Sequence, residues 1–329
     1  DLYPFRLILT FCAVAYCQTA FSETWTQWRG PGRNGVLENQ DWPQQLSGNQ
    51  LKTTWKIPLG PSYSSPLITD DLVFVTETRA KAKEVVTALS RETGEQVWSA
   101  EWEGAMSVPF FAAANGSWIR ATPALDGDDL FVAGIRDVLV CLNSKTGAIK
   151  WKVDFVGQTG STLPSFGCAC SPLVDGDAVY IQAGGGFSKI DRSDGRILWT
   201  VLKDGGGMGG SAFSSPIIAT LCGYRQAVVQ TRSRLTGVDL ATGAELWSIN
   251  VEAFRGMNIL TPTVIGDRIF TSSYGGGSFL YEVSGDTSNG FKVTQVWRNK
   301  VQGYMSSPVV VDGHVYLHLR NQRFACIDL

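Results

Sequence analysis

"GVDLATGAELW", residues 237–247, occurs in close copies along this chain. "ALSRETGEQVW" ends at Trp98, "CLNSKTGAIKW" at Trp151 and "KIDRSDGRILW" at Trp199, and a longer copy, "SGDTSNGFKVTQVW", ends at Trp297. Successive tryptophans at 55, 98, 151, 199, 247 and 297 stand 43 to 53 residues apart. Self-similarity at that period marks a repeat architecture, whose units bury their apolar surface only by stacking on one another. A second landmark keeps pace: Ser65-Pro66, Thr122-Pro123, Ser171-Pro172, Ser215-Pro216, Thr261-Pro262 and Ser307-Pro308.

One unit, "SPLVDGDAVYIQAGGGFSKIDRSDGRILW", residues 171–199, reads as four strands. "PLV" enters a tight turn at Asp175-Gly176-Asp177, "AVYIQ" returns, a Gly-rich loop leads to "FSKI", and "SDG" turns the chain into "RILW". Each piece is of strand length, rich in β-branched and aromatic residues, and bounded by Gly or Asp. Proline heads the first strand, where it removes no ladder bond. Asp191 or Asp239 can accept a backbone N–H two residues on and so start the turn. Gly94, Gly147, Gly195 and Gly243 supply the positive φ that closes it. The Trp ends the outermost strand, where its ring can cover the junction with the next unit. A four-stranded sheet of under about fifty residues cannot bury both faces alone, and radial stacking of such sheets makes a β-propeller. The sequence therefore predicts an all-β fold: four-stranded antiparallel blades docked by Trp98, Trp151, Trp199, Trp247 and Trp297. No apolar pattern of helical period is long enough for a sizeable helix.

Composition agrees. The 329 residues include 36 Gly, 11% aromatics and only 18% charged residues, which suits short strands and tight turns. A formal net charge of −2 points to neither nucleic acid nor an anionic membrane as partner. At the start, Arg6 precedes the apolar run "LILTFCAVAY", and Ala20-Phe21-Ser22 offers small residues at −3 and −1 of a cut before Glu23. That layout predicts a secretory signal peptide at 1–22, followed by an extension at 23–54 and the propeller at 55–329. Tyr16 before Cys17 weakens a lipidation reading, and no stretch is long enough to span a membrane. The expected location is the periplasm or cell exterior.

Cys141, Cys168, Cys170, Cys222 and Cys326 remain after the signal, an odd number that cannot be fully paired within one chain. Cys141 and Cys326 occupy a repeat position held elsewhere by Ala88 and Gly237, which predicts small buried strand residues. Cys168 and Cys170 form the only close pair and leave a strained disulfide open. Metal binding there lacks companion ligands. His314 and His318 share one hairpin and read as surface residues.

The pattern of a small residue, Asp or Asn, Thr-Gly and Trp resembles the tryptophan-docking repeat of the PQQ-like β-propeller proteins, the quinoprotein alcohol dehydrogenase-like superfamily. The resemblance covers Trp55 to Leu329 and loosens at Trp297, where Ser284 to Gly290 lengthens the turn. "WTQWRGPGRNGV", residues 25–36, is similar to the opening of exported bacterial members. The resemblance implies a ring of seven or eight blades. About six are present here, so the expectation is an incomplete ring from a longer reading frame.

Propeller ligands sit where the inter-blade loops and the loops joining second to third strands meet the channel. The first set carries Tyr63, Trp118, Phe166, Phe213 and Tyr304. They suggest a shallow groove with stacking groups, or simply loops packing on each other. The second set would place Arg79, Arg136, Arg232, Arg234, Arg320 and Arg323 on one rim, able to attract an anionic ligand or merely solvated. Candidate ligand-binding residues are Arg136, Arg232, Arg234, Arg320, Tyr63, Phe213 and Tyr304. No catalytic residue and no metal ligand is assigned.

For function, the resemblance implies pyrroloquinoline quinone and Ca²⁺ in the dehydrogenase branch, with a disulfide between adjacent cysteines. This chain has no Cys-Cys pair and no carboxylate–Asn pair on those loops, so PQQ and Ca²⁺ rest on resemblance alone. Two histidines in one hairpin allow no Ser-His-Asp arrangement. The favoured reading is an exported, non-catalytic interaction module presenting its face to a protein or glycan, close to the propellers that serve outer-membrane barrel assembly. A PQQ-dependent dehydrogenase and a purely structural array are the alternatives.

Overall fold

The repeated turns are built by their own side chains. Oδ1 of Asn143, Asp191 and Asp239 accepts the backbone N–H two residues on, at 3.0, 2.9 and 3.1 Å. Gly147 then turns the chain at φ +74°. The computed structural model describes residues 24–37, 45, 48, 51–211 and 213–329. The expected signal peptide at 1–22, with Cys12 and Cys17, and much of the extension at 23–54 lie outside the described residues.

Six sheets follow in chain order, over residues 67–103, 124–154, 173–201, 217–250, 263–299 and 309–328. Five have four strands and the last has three, every pairing being antiparallel between neighbours in sequence. Among the described residues the longest α-helix is a single turn, Phe155–Thr159, capped by Asp154, which accepts the Gly157 N–H. The fold is the all-β propeller that the repeat predicts.

Strand alternation explains why the blades stack. In blade 2, Leu130, Val132, Val140 and Leu142 pack with Phe74, Val86 and Trp98 of blade 1. Their neighbours Phe131, Ala133, Leu139 and Cys141 point the other way, into Val179, Ile181 and Ile190 of blade 3. Each such side chain is worth about 1.5–3 kcal/mol when fully buried. Similar apolar seams join blades 3 and 4, 4 and 5, and 5 and 6. Among the described residues, no such cluster joins blade 6 to blade 1. Cys141 is buried as expected, but Cys326 is exposed, because it lies on the last sheet. The expected burial of Cys326 is therefore corrected.

Two hydrogen-bonded belts tie the blades, one at each end of the sheet. On the inside, over blades 1 to 4, the Ser or Thr before the proline accepts the backbone N–H of its counterpart one blade earlier. Ser65 N–H donates to Thr122 Oγ1 (3.1 Å), Thr122 to Ser171 Oγ (3.0 Å) and Ser171 to Ser215 Oγ (2.9 Å). On the outside, each indole N–H reaches a carbonyl in the next blade's turn: Trp98 to Ser144 (2.9 Å), Trp151 to Arg192 (2.9 Å) and Trp199 to Ala241 (3.3 Å). The Trp98 ring lies so close over Gly147 that a Cβ there would sit 2.5 Å from it. Trp55 makes the same contact with blade 1, donating to Arg91 O at 2.8 Å.

The series changes at Trp247. Blade 5 carries the lengthened hairpin, Gly277–Asp286 with Gly290–Asn299, so the short turn is not there to meet the indole. Trp247 instead donates to Gln226 Oε1 of its own blade at 2.6 Å, while still packing in the seam with blade 5. Trp297 is only partly buried, beside Phe270.

The segment at 24–37 reaches the first strands of several blades. Trp25 pairs with Ile68 of blade 1, and Thr26 O accepts Leu125 N–H of blade 2 at 2.7 Å. Arg33 donates to Pro172 O at the start of blade 3 (3.0 Å), Trp28 to Thr261 Oγ1 before blade 5 (3.3 Å), and Arg29 to Pro308 O before blade 6. So few residues can touch the starts of five blades only where those first strands converge. The segment therefore lies near the axis of the propeller.

Candidate functional site

In an antiparallel four-strand blade, the loop into strand one and the loop between strands two and three emerge at the same face. Between the strands, from blade 1 onward, the loops of that face carry nine Lys or Arg against three Asp or Glu. The turns of the opposite face carry four against nine. The molecule is thus polarised along its axis, with the basic end at the loop face.

Beneath this face lie two buried carboxylates. Glu84, fully buried, accepts Ile135 N–H at 2.6 Å and the Trp102 indole N–H at 3.0 Å. Gly104 and Gly134 leave the room for it, since a Cβ on either would come within 2.5 Å of its oxygen. Burial raises its pKa to about 7 against the opposing pull of those two hydrogen bonds. Asp137, also buried, accepts Gly184 N–H at 2.8 Å and so ties the loops of blades 2 and 3, and burial raises its pKa to about 6.

Both shifts set a pH dependence of the same sign. From about pH 4.5 to 7 the native state holds a proton on Glu84 that the unfolded chain has released, so stability falls as pH rises and levels off above about 7. Between pH 5 and 8 this amounts to about 2–3 kcal/mol. Urea midpoints should accordingly be higher at pH 5 than at pH 8, and Glu84→Gln should flatten most of that slope. An unchanged slope in the variant would show that Glu84 is not its source.

Above the carboxylates the face is aromatic. Phe110 and Phe111, on a 3-10 turn in the loop between blades 1 and 2, are 90% and 61% exposed. Phe111 meets Phe166 of the next inter-blade loop, which meets Phe213 of the one after. Arg232, from the second-to-third-strand loop of blade 4, stacks on Phe213 at 5.5 Å. A second group gathers Phe254, Tyr274 and Tyr304, with the Arg320 guanidinium 4.1 Å from the Tyr274 ring centre.

The structure thus brings Phe213 to Arg232 directly, and Tyr304 to Arg320 through Tyr274. Tyr63 stands apart with Trp118 and Arg120. Arg136 lines a separate cavity of about 280 Å³ with Glu103, Lys152 and Asp154. Arg234 is held by Glu245 at 2.8 Å. Another hollow, about 660 Å³, is lined by Lys300, Gln302, Leu319, Arg320 and Asn321. Phe110, Phe111, Phe254 and Tyr274 are not among the sequence candidates, and "PFF" in the longest loop is the sign that points to the first two.

These residues do not fit a quinone–calcium centre. Among the described residues, no three His, Cys, Asp or Glu side chains gather around one point. Asp204 is occupied by the Gly206 and Ser211 N–H groups, and Glu252 by Arg298. Cys168 and Cys170 are buried free thiols, and burial pushes the Cys170 thiol up to about 12. What the face offers is stacking, cationic and hydrogen-bonding surface.

The comparisons with known proteins bear on the same architecture. The chain is similar to the outer membrane protein assembly factor BamB of Shewanella oneidensis, at 23% identity over 302 residues, covering 91% of this chain and 68% of that protein. It is similar to the factor of the same name from Yersinia pestis, at 21% identity over 259 residues, covering 75% and 60%. The chain thus spans roughly two thirds of the length of these relatives. The computationally designed Ika8 protein shares the fold, with TM-score 0.51 at 8% identity over 81% of this chain and 70% of that one. A family model described as outer membrane protein assembly factor BamB matches residues 41–114 and 82–329. With its blades, belts and loop face accounted for, and that match running over most of its length, this chain belongs to the BamB family of outer membrane protein assembly factors.

Proposed function

We propose that this chain is an exported, non-catalytic scaffold of the cell envelope, whose loop face docks a protein partner during assembly of outer-membrane proteins. The supporting observation is the face itself: exposed phenylalanines at the rim of a basic surface, on a framework held by two interlocking belts. Solvent-exposed rings in contact with one another are costly to leave uncovered and mark an interaction surface. The relatives' name supplies the process, and the aromatic and basic chemistry supplies the mode. Among the described residues, no helix is long and apolar enough to cross a membrane.

Site-specific photo-crosslinking in bacterial envelopes tests this reading. A benzoylphenylalanine at Tyr304 on the loop face should capture a discrete envelope protein, and one at Ser193 on the opposite face should not. Equal capture from both faces, or alcohol-dependent dye reduction by the chain supplied with PQQ and Ca²⁺, would sink the proposal.

A further inference from the structure

Four phenylalanines on the loop face form one continuous row across three inter-blade loops. Phe110 and Phe111 have ring centres 5.6 Å apart, Phe111 and Phe166 are 6.1 Å apart, and Phe166 and Phe213 are 6.1 Å apart. Successive rings are inclined by 83°, 67° and 48°, so they form the walls of notches rather than a flat platform. Apolar side chains can enter such notches and pack against both walls. The spacing also selects among side chains. In an extended strand, residues i and i+2 lie on one face, about 6.6–6.8 Å apart, close to the ring spacing of this row.

The far end of the row is cationic. Arg232 lies over Phe213 and donates to Arg255 O; Asp204 acts on it through its charge, but among the described residues no carboxylate stands within ion-pair distance of it. Arg255, next to it, stacks on Phe254. A guanidinium held by an aromatic face keeps donors free for an incoming carboxylate. The surplus of Lys and Arg over this face makes an acidic occupant favourable at longer range.

We propose that the row Phe110–Phe111–Phe166–Phe213 is a track for an extended peptide segment with apolar side chains at alternate positions, followed by acidic residues that pair with Arg232. Alternation at period two is the signature of strands with one face apolar, so the segment has the chemistry of a β-strand not yet paired in a sheet. The inference rests on the protein-docking reading above and names the chemistry of what docks.

Fluorescence anisotropy with synthetic peptides tests it. A labelled acetyl-VTVTVTDE-amide should bind the full chain at least tenfold more tightly than the block isomer acetyl-VVVTTTDE-amide, which has the same composition. Phe111→Ala should weaken the alternating peptide about tenfold. Since Phe111 is 61% exposed, its circular-dichroism melt should stay that of the wild type. Arg232→Glu should remove the preference for the DE tail over an NQ tail and leave the alternation preference in place. Equal binding of the two isomers, or wild-type affinity in Phe111→Ala, overturns the track. The crosslink from Tyr304 lies outside the row, so its persistence in that event would leave the docking reading standing while the track fails.

Discussion

Trp98→Ala should lower the free energy of unfolding by about 3–5 kcal/mol, the usual cost of removing a buried Trp or Phe side chain. The indole is 8% exposed, packs at a tilt against Phe74 with ring centres 5.9 Å apart, and belongs to the seam between blades 1 and 2. Its N–H also satisfies Ser144 O in a buried setting, so truncation leaves a carbonyl unpartnered as well as a cavity. Trp199 makes a longer bond, 3.3 Å, to Ala241 O in a more exposed position. Trp199→Ala should therefore cost clearly less. Equilibrium denaturation of the two variants gives the comparison. Equal losses, or a Trp98→Ala loss below about 1 kcal/mol, would show that the outer belt does not hold the blades together.

Arg33→Ala should cost about 2–4 kcal/mol and expose residues 24–37 to protease. Arg33 is 7% exposed and donates to Pro172 O, Ser171 O and Gln27 Oε1 at 3.0, 3.4 and 3.2 Å. Burial lowers its pKa to about 10, with Arg29 nearby adding to the effect, so the group stays charged at neutral pH. Removing it strands buried carbonyls at the start of blade 3, at about 1–3 kcal/mol for each unsatisfied group. Limited proteolysis followed by mass spectrometry should find cuts within 24–37 in the variant and not in the wild type. Matching digestion patterns and stabilities would mean that the axial segment is held by something other than its arginines.

The sequence and the structure agree where chemistry is local. Asp191, Asp239 and Gly147 announce their turns because every partner lies within a few residues. Trp98 and Trp151 announce their docks because each recurs at the same distance from such a turn. Links between blades were harder to read. Ser before Pro looked like a strand start, and nothing local shows that Ser215 Oγ receives Ser171 N–H, 44 positions earlier. Arg29 and Arg33 carry no local sign of their burial, because their partners Pro308 and Pro172 lie far along the chain and only the assembled blades enclose them. Trp247 carried the motif but not its partner, since the turn that it would meet is the lengthened one in blade 5. The candidate site is half legible in the sequence: Phe213 and Arg232 stand out in separate loops, and only the fold brings those loops together.

The axial segment also sets an order of events. Arg29 is joined to Pro308 across 279 positions, so its bond closes a loop nearly as long as the chain. Closure on that scale costs entropy that the last blades must first offset, and contacts of such separation form late. Residues 24–37 are therefore among the last to find their place. Until blade 6 is made, the inner ends of the earlier blades stand open to water, and it is in that interval that the protein is most prone to misassembly.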